Sequence, residues 1–200
     1  MNVYVKEFFS HRSVWIMTLL FAGCLFGIAP AMNQGSTWVG ILTGVLLWYV
    51  SEYTTHRFLF HAPPPKNKWL LRLLNRLHYA HHELPNELHL LFLPVWYSIP
   101  NFFIVWLLAY AVTHSSILSF SVVAGGVGCL LYYEWVHFVA HRPIKPRTPW
   151  GKWMKKYHLW HHYKNENFWF GVTNPGMDKI MGTYEDEKHV ELSSTARKLL

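Results

Sequence analysis

Apolar residues come in long uncharged blocks, separated by short polar stretches in which histidine and basic residues gather. Val14 to Ala31 is a first block long enough to cross a bilayer core. Trp38 to Val50 forms a second, continuing into Ser51-Glu52-Tyr53. Leu88 to Val112 is interrupted by Pro94 and Pro100, and Ile117 to Val136 carries one charge, Glu134. The pattern predicts four membrane helices at about 14–31, 37–55, 88–112 and 117–136, paired as two tight hairpins turning near 31–36 and 113–116. The first block has no convincing small-residue cleavage site and a second apolar block follows at once, so it reads as a retained anchor. Gly23/Gly27 and Gly40/Gly44 each make a GxxxG pair that would let the first two helices approach closely.

Composition agrees with a membrane protein: 52% of residues are hydrophobic and 14% charged in a chain of 200, a length that suits one domain. All 18 Lys and Arg lie before residue 13, between 57 and 76, or after 141, and neither hairpin turn holds one. The positive-inside rule then puts both termini and the intervening loop in the cytoplasm, with the +7 net charge facing an anionic membrane surface. Basic residues that flank apolar spans, without a recognition motif, exclude a nucleic-acid partner. Cys24 and Cys129 both fall within apolar blocks, so neither a disulfide framework nor a cysteine zinc site is expected.

Histidine changes the picture. Ten of the 14 histidines fall in four clusters. His56 and His61 form HxxxxH, His78, His81 and His82 form HxxHH, His137 and His141 form HxxxH, and His158, His161 and His162 form a second HxxHH. Positions i, i+3 and i+4 share a helix face, so each HxxHH should aim three imidazoles one way, and HxxxH two. An i, i+5 pair sits roughly 140° apart on an ideal helix. His56 and His61 therefore need a local widening or a helix end, or they serve two different metals. The pairs follow the second and fourth helices, and the triads lie in the adjoining segments 56–87 and 137–185, which would fold back over the helix ends.

A lone histidine is most often a satisfied core or interfacial residue. Ten in this pattern are not explained that way, because unpaired buried imidazoles are costly. Ten nitrogen donors exceed one metal's needs and suit two, at about five each, with room for an exogenous oxygen ligand. Imidazole accepts iron, zinc, copper or nickel, and of these zinc has no redox activity. Glu52 and Glu134 each lie one helical turn before a cluster and are candidates to hold a histidine's outer nitrogen; for Glu52 a solvated interfacial carboxylate is an equal reading. His11, His89, His114 and His189 read as surface residues. Residues 67–82 and the stretch from Trp150 to Trp160, where Trp150, Trp153, Tyr157 and Trp160 alternate with Lys152, Lys155 and Lys156, predict amphipathic helices lying in the interface.

The order HxxxxH, HxxHH, HxxxH, HxxHH on membrane helices resembles the fatty acid hydroxylase superfamily of histidine-box di-iron oxygenases. Ser51-Glu52-Tyr53-Thr54-Thr55-His56-Arg57-Phe58-Leu59-Phe60-His61 and His81-His82-Glu83-Leu84-Pro85 look most like the fatty acid 2-hydroxylases. Phe170-Gly171-Val172-Thr173, Met177-Asp178 and Met181-Gly182-Thr183 match the superfamily's closing segment, and the resemblance covers roughly 45–185.

The resemblance implies an all-α integral membrane four-helix bundle with a cytoplasmic helical cap over a dinuclear site. It implies an O2-dependent monooxygenase that hydroxylates a lipid acyl chain at C2, free or in a ceramide-like lipid. The metals would be two irons, with zinc able to replace them in purified protein. Sterol or carotenoid-ring hydroxylation, or desaturation, would use the same site; a membrane metal transporter is the rival of another class. Only a dozen residues precede the first helix, so a cytochrome b5 domain of the kind these hydroxylases commonly carry is not expected. Electrons would come from a separate cytochrome b5-like or ferredoxin-like protein. Leu88-His89-Leu90-Leu91 and Met177 depart from the family pattern and bear on the substrate. The expected home is a bacterial inner membrane or the endoplasmic reticulum.

Overall fold

The computed structural model describes residues 2–200, and among them every regular element is a helix. In chain order these are α1 (Asn2–Ser10), α2 (Arg12–Ile28), α3 (Gly35–Thr54), α4 (Lys68–Leu74), α5 (Ala80–Glu83), α6 (Leu88–Leu91), α7 (Val95–Thr113), α8 (Ser116–His141), α9 (Pro149–Tyr163) and α10 (Gly176–Met181). Two π-helical segments, Thr55–Phe60 and Asn75–Tyr79, continue α3 and α4. Three stretches are long and apolar enough to cross a membrane: Arg12–Ala31, Leu88–Thr113 and Ser116–His141. α3 has the length, at 20 residues, but glycines, threonines, Ser51 and Glu52 dilute its apolarity. The expectation of four spans is thus met by apolarity in three.

Contacts gather into two units: the chain up to Val50 with Leu93–Glu134, and Ser51–Phe92 with Trp135–Leu200. Both α3 and α8 begin in the first and end in the second.

The first unit is built on close backbone approach. A Cβ added at Gly44 would collide with the Val122 carbonyl, and one at Gly125 with the Ile41 carbonyl. Small residues therefore seat α3 directly on α8, where dispersion does the work that apolar burial cannot do in lipid. This corrects the sequence expectation that Gly40/Gly44 and Gly23/Gly27 would join the first two helices. A Cβ at Gly23 would meet nothing within 4 Å. α8 buries 56% of its apolar window, against 28% for the first two spans, which makes it the inner helix. The expected 88–112 helix is broken: α6 ends at Leu91, and Pro94 caps a new start at Val95. Pro94 lacks an N–H and holds its own φ near −70°, so it begins a helix more readily than it continues one. At the break the Leu93 N–H donates to Glu134 Oε1 at 2.9 Å. Glu134 was expected to support a histidine; the contact seen is this one, at the start of α7.

The second unit carries the ten clustered histidines. α8 runs on to His141, past the expected end at 136, so His137 and His141 extend a helix already long enough for a span. Lys155 of α9 closes its end, donating to the Val139, Arg142 and Ile144 carbonyls at 2.8, 2.7 and 2.9 Å. Those are terminal acceptors with no helical donor left. Burial lowers the Lys155 pKa. α9 was expected to lie in the membrane interface. One face of it packs inward: Met154 and fully buried Tyr157 lie against Trp169 and Val190, with Trp153 and Trp160 beside them, while Trp150 stays exposed. Asn67 caps α4 through Oδ1, which accepts from the Trp69 and Leu70 amides.

Candidate metal centre

The histidines separate into two groups of five. His56, His61, His78, His82 and His161 form one; His81, His137, His141, His158 and His162 form the other. Within each, one ring nitrogen per residue lies within 4.8 Å of all the others, close enough for one ion to be shared. All except partly buried His61 are buried. His82 of the first group stacks on His162 of the second, ring centroids 4.1 Å apart, so the groups abut.

The sequence order of the clusters is not the order of the groups. Each HxxHH was expected to aim three imidazoles together. In the structure the i, i+4 pair stays together and the i+3 residue crosses over: His78 and His82 join the first group while His81 joins the second. The other triad mirrors it, His158 and His162 in the second group and His161 in the first. On an ideal helix i and i+4 lie about 40° apart, while i+3 lies about 60° from i on the other side and about 100° from i+4, enough for it to turn to a separate group.

The HxxxxH question is answered by the backbone. Thr55–Phe60 is a π-helix in which the His61 amide donates to the His56 carbonyl at 3.1 Å, an i to i−5 bond. The wider turn brings positions five apart onto one face, and both residues enter the first group. A second π segment under His78 has the Ala80 amide donating to the Asn75 carbonyl.

The donor set itself calls for cations. His56 Nδ1 lies 2.5 Å from the Phe170 carbonyl, His82 Nδ1 2.7 Å from that of Ala196, and His161 Nδ1 2.8 Å from that of Phe168. A carbonyl only accepts, so these nitrogens carry the proton and each Nε2 presents a bare lone pair. Those lone pairs converge. His56 Nε2 is 3.3 Å from His78 Nε2, and His161 Nε2 is 3.0 Å from His61 Nε2. In the second group His137 and His81 bring Nε2 atoms to 2.8 Å, and His141 and His158 to 3.0 Å. Neutral imidazoles cannot all satisfy one another across such clusters. A metal ion in each would, so the residues fit the metals that the pattern implies.

Burial is the first cause that lowers the pKa of His56, His61, His78, His81, His158, His161 and His162, with mutual charge repulsion second. His82 is pushed down to about 3. At neutral pH these rings are free bases, the form that binds metal.

Around the first group runs a polar network that the sequence only partly revealed. Glu52 was expected to reach a histidine. Its carboxylate accepts from the Val172 and Thr173 amides at 2.8 Å each and from the Thr173 hydroxyl at 2.6 Å. It thus supports the loop whose Phe170 carbonyl takes His56 Nδ1. Asp178, not singled out beforehand, takes the Phe170 and Gly171 amides at 2.8 Å each and the Thr183 hydroxyl at 2.8 Å. Burial raises the Asp178 pKa against these hydrogen bonds. Since Thr183 spends its one proton on Asp178, the Tyr53 hydroxyl 2.8 Å away must donate to Thr183, and Arg57 donates to Tyr53 at 2.7 Å. The signal for Asp178 was its place in the closing segment; nothing in the sequence announced Ala196, which arrives through the tail beyond residue 185. Of the remaining histidines, His89, His114 and His189 are exposed, and His11 caps α2, its Nδ1 accepting from the Ser13 amide.

Comparison with known proteins places these residues in context. The family model for fatty acid hydroxylase matches residues 41–183. The dihydroceramide fatty acyl 2-hydroxylase FAH2 of Arabidopsis thaliana is 34% identical over 88% of this chain and 75% of its own length. The ceramide very long chain fatty acid hydroxylase SCS7 of Saccharomyces cerevisiae is 33% identical over 76% of this chain and 40% of its own. The human fatty acid 2-hydroxylase is 29% identical over 74% of this chain, which again spans 40% of that protein. A solved structure of full-length scs7p, with only the hydroxylase domain visible, superposes with a TM-score of 0.78 at 28% identity, covering 90% of this chain and 69% of that one.

Proposed function

The chain belongs to the fatty acid hydroxylase family, and on that premise we propose that it is a membrane lipid hydroxylase placing one hydroxyl at C2 of a fatty acyl chain, free or in a ceramide-like lipid. The observation that carries the proposal is the pair of five-imidazole groups, all but His61 buried, in a chain with relatives named as fatty acyl or fatty acid 2-hydroxylases. All ten histidines are read as ligands of two ions, iron in the active form, with zinc able to occupy the same nitrogens. Bound iron would supply dioxygen activation, for which zinc has no redox chemistry.

The overall change replaces one C–H by C–OH. The second oxygen atom leaves as water, which requires two electrons and two protons from outside. A separate cytochrome b5-like or ferredoxin-like protein is the proposed donor. The protein's own part is to hold the imidazoles, fix their tautomers through the Phe168, Phe170 and Ala196 carbonyls, and keep the site dry. His137 and His141 close the last turns of α8, and His56 and His61 follow α3 directly. An acyl carbonyl resting at headgroup depth presents C2 to such helix ends, whereas a mid-chain carbon would have to leave the hydrocarbon core.

Topology follows the charge pattern: four spans with α3 included, and both termini and the histidine segments cytoplasmic. Cysteines placed at Ser36 and Ser115 should react with an impermeant reagent from outside, and one at Asn165 should not. Labelling at Asn165 in intact cells would contradict that orientation.

The experiment for function is lipid mass spectrometry of cells with and without the gene. The proposal expects acyl chains heavier by one oxygen, with fragmentation locating it at C2. Products confined to sterols, or hydroxyls in mid-chain, would refute the substrate assignment.

A further inference from the structure

The two histidine groups are not held alike. In the first, the segment Phe168–Thr173 works as a strap. Its carbonyls at Phe168 and Phe170 take the outer nitrogens of His161 and His56. Its four consecutive amides from Phe170 to Thr173 are taken in turn by Asp178 and Glu52. Between the two carbonyls stands Trp169, in the left-handed region at φ 60°, which bulky L-residues avoid. That turn brings two carbonyls of one short segment to two different rings. Trp169 is fully buried and fixed on three sides: its amide donates to the Thr183 carbonyl at 3.1 Å, its indole N–H to the Glu185 carbonyl at 3.0 Å, and its ring packs on Trp160. A strained conformation so tied down is imposed by its surroundings.

The second group has much less of this. His137 leans on the Leu91 backbone. The Nδ1 atoms of His81, His141, His158 and His162 are buried and meet no protein acceptor. Rings whose outer nitrogen is already committed present a lone pair inward before an ion arrives. Rings without that commitment must select a tautomer and an orientation on binding, which weakens retention.

We propose that the Phe168–Thr173 strap, gripped by Asp178 and Glu52, makes the His56, His61, His78, His82 and His161 site the tighter of the two metal positions. A chain carrying one ion carries it there. The inference rests on the reading that both groups bind metal.

The test uses the full chain in detergent, loaded with zinc and challenged with EDTA, with bound zinc followed over time. Wild type should lose its ions in two phases, one ion per chain persisting after the first. His141→Ala should remove the fast phase and leave the slow ion, while His56→Ala should remove the slow one. Asp178→Asn and Glu52→Gln should speed the slow phase by about 10–100-fold and leave the fast phase unmoved. A loosening of the whole fold would instead speed both phases, so helicity and gel filtration are read alongside. Thr173→Val, which deletes one bond to Glu52, gives the same comparison at smaller size if the carboxylate variants do not fold. Loss of both ions in one phase, a slow ion that depends on His141, or strap variants that accelerate both phases alike would overturn the proposal. Uptake of fewer than two zinc ions by wild type would instead count against the two-metal reading beneath it.

Discussion

The two units of this chain solve opposite problems. The first, up to Val50 and over Leu93–Glu134, is stabilised by fit: glycine faces on α3 and α8 meet backbone to backbone, and apolar side chains such as Phe26, Leu42 and Leu108 stay exposed. The second, Ser51–Phe92 and Trp135–Leu200, buries what folding ordinarily avoids burying: nine imidazoles, Glu52 and Asp178. Its order depends on those polar groups finding partners, and for the inward nitrogens the proposed partner is a cation. Damage should therefore show in different observables, folding for the first unit and metal and activity for the second.

The largest effect is expected in the second unit. Replacing His81 or His161 with alanine should reduce hydroxylated lipid to background, because each removes a proposed ligand from a different group. Metal per chain should fall while detergent-extracted protein remains helical. Activity that survives both substitutions would break the contrast between the units.

In the first unit, Gly44→Val should cost on the order of 2–3 kcal/mol through overpacking against the Val122 carbonyl, or prevent folding. Whatever folded protein is recovered should hold the wild-type metal content. Full yield with lost metal would reverse the comparison.

A pH series sharpens it. Burial holds the folded-state pKa of His78, His81, His82, His158, His161 and His162 below the unfolded value near 6.5. Below that pH the unfolded chain takes up protons that the folded chain refuses. Metal-free protein should therefore be most stable above about pH 6.5 and lose stability as pH falls, each such histidine contributing up to about 1.4 kcal/mol per pH unit. Since His82 takes its proton only at about 3, its share of the loss continues down to there. Thermal melts of the stripped protein between about pH 8 and 5 read this directly; a flat profile would contradict it.

The smallest effect belongs to His114, exposed at the α7–α8 turn with φ 51°. His114→Ala should leave activity and metal unchanged, and His114→Gly should raise the melting temperature slightly, by about 0.5–1 kcal/mol of stability. A loss of metal in either variant would be inconsistent with its place outside both groups.

What could be read ahead of the structure was whatever a helix repeats. The ten histidines stood out because their spacings are periodic, and the apolar blocks because membranes demand length. The partition of His81 from His78 and His82 was not legible, because two groups of imidazoles divide a face that periodicity treats as one. The π segment under His56 was legible only as a need, since a spacing of five signals a mismatch without its remedy. Glu52 was found by proximity in sequence, yet it acts across 120 residues on Val172. Ala196 reaches the His82 ring across 114 residues and Asp178 acts on a ring only through the Phe170 backbone, and a backbone carbonyl carries no sequence signature at all. The glycine pair in α3 was recognised as a contact face, but its partner could not be, because a small-residue stripe states closeness without naming the neighbour.

The central claim, a dinuclear histidine site that puts an oxygen atom from O2 on C2 of an acyl chain, is tested most directly by isotope. Cells expressing the protein would be grown under isotopically heavy dioxygen, and their 2-hydroxy fatty acids fragmented. The account predicts one heavy oxygen at C2, absent when His161 is replaced by alanine. Heavy oxygen at another carbon, oxygen derived from water, or labelling unaffected by the His161 substitution would contradict it.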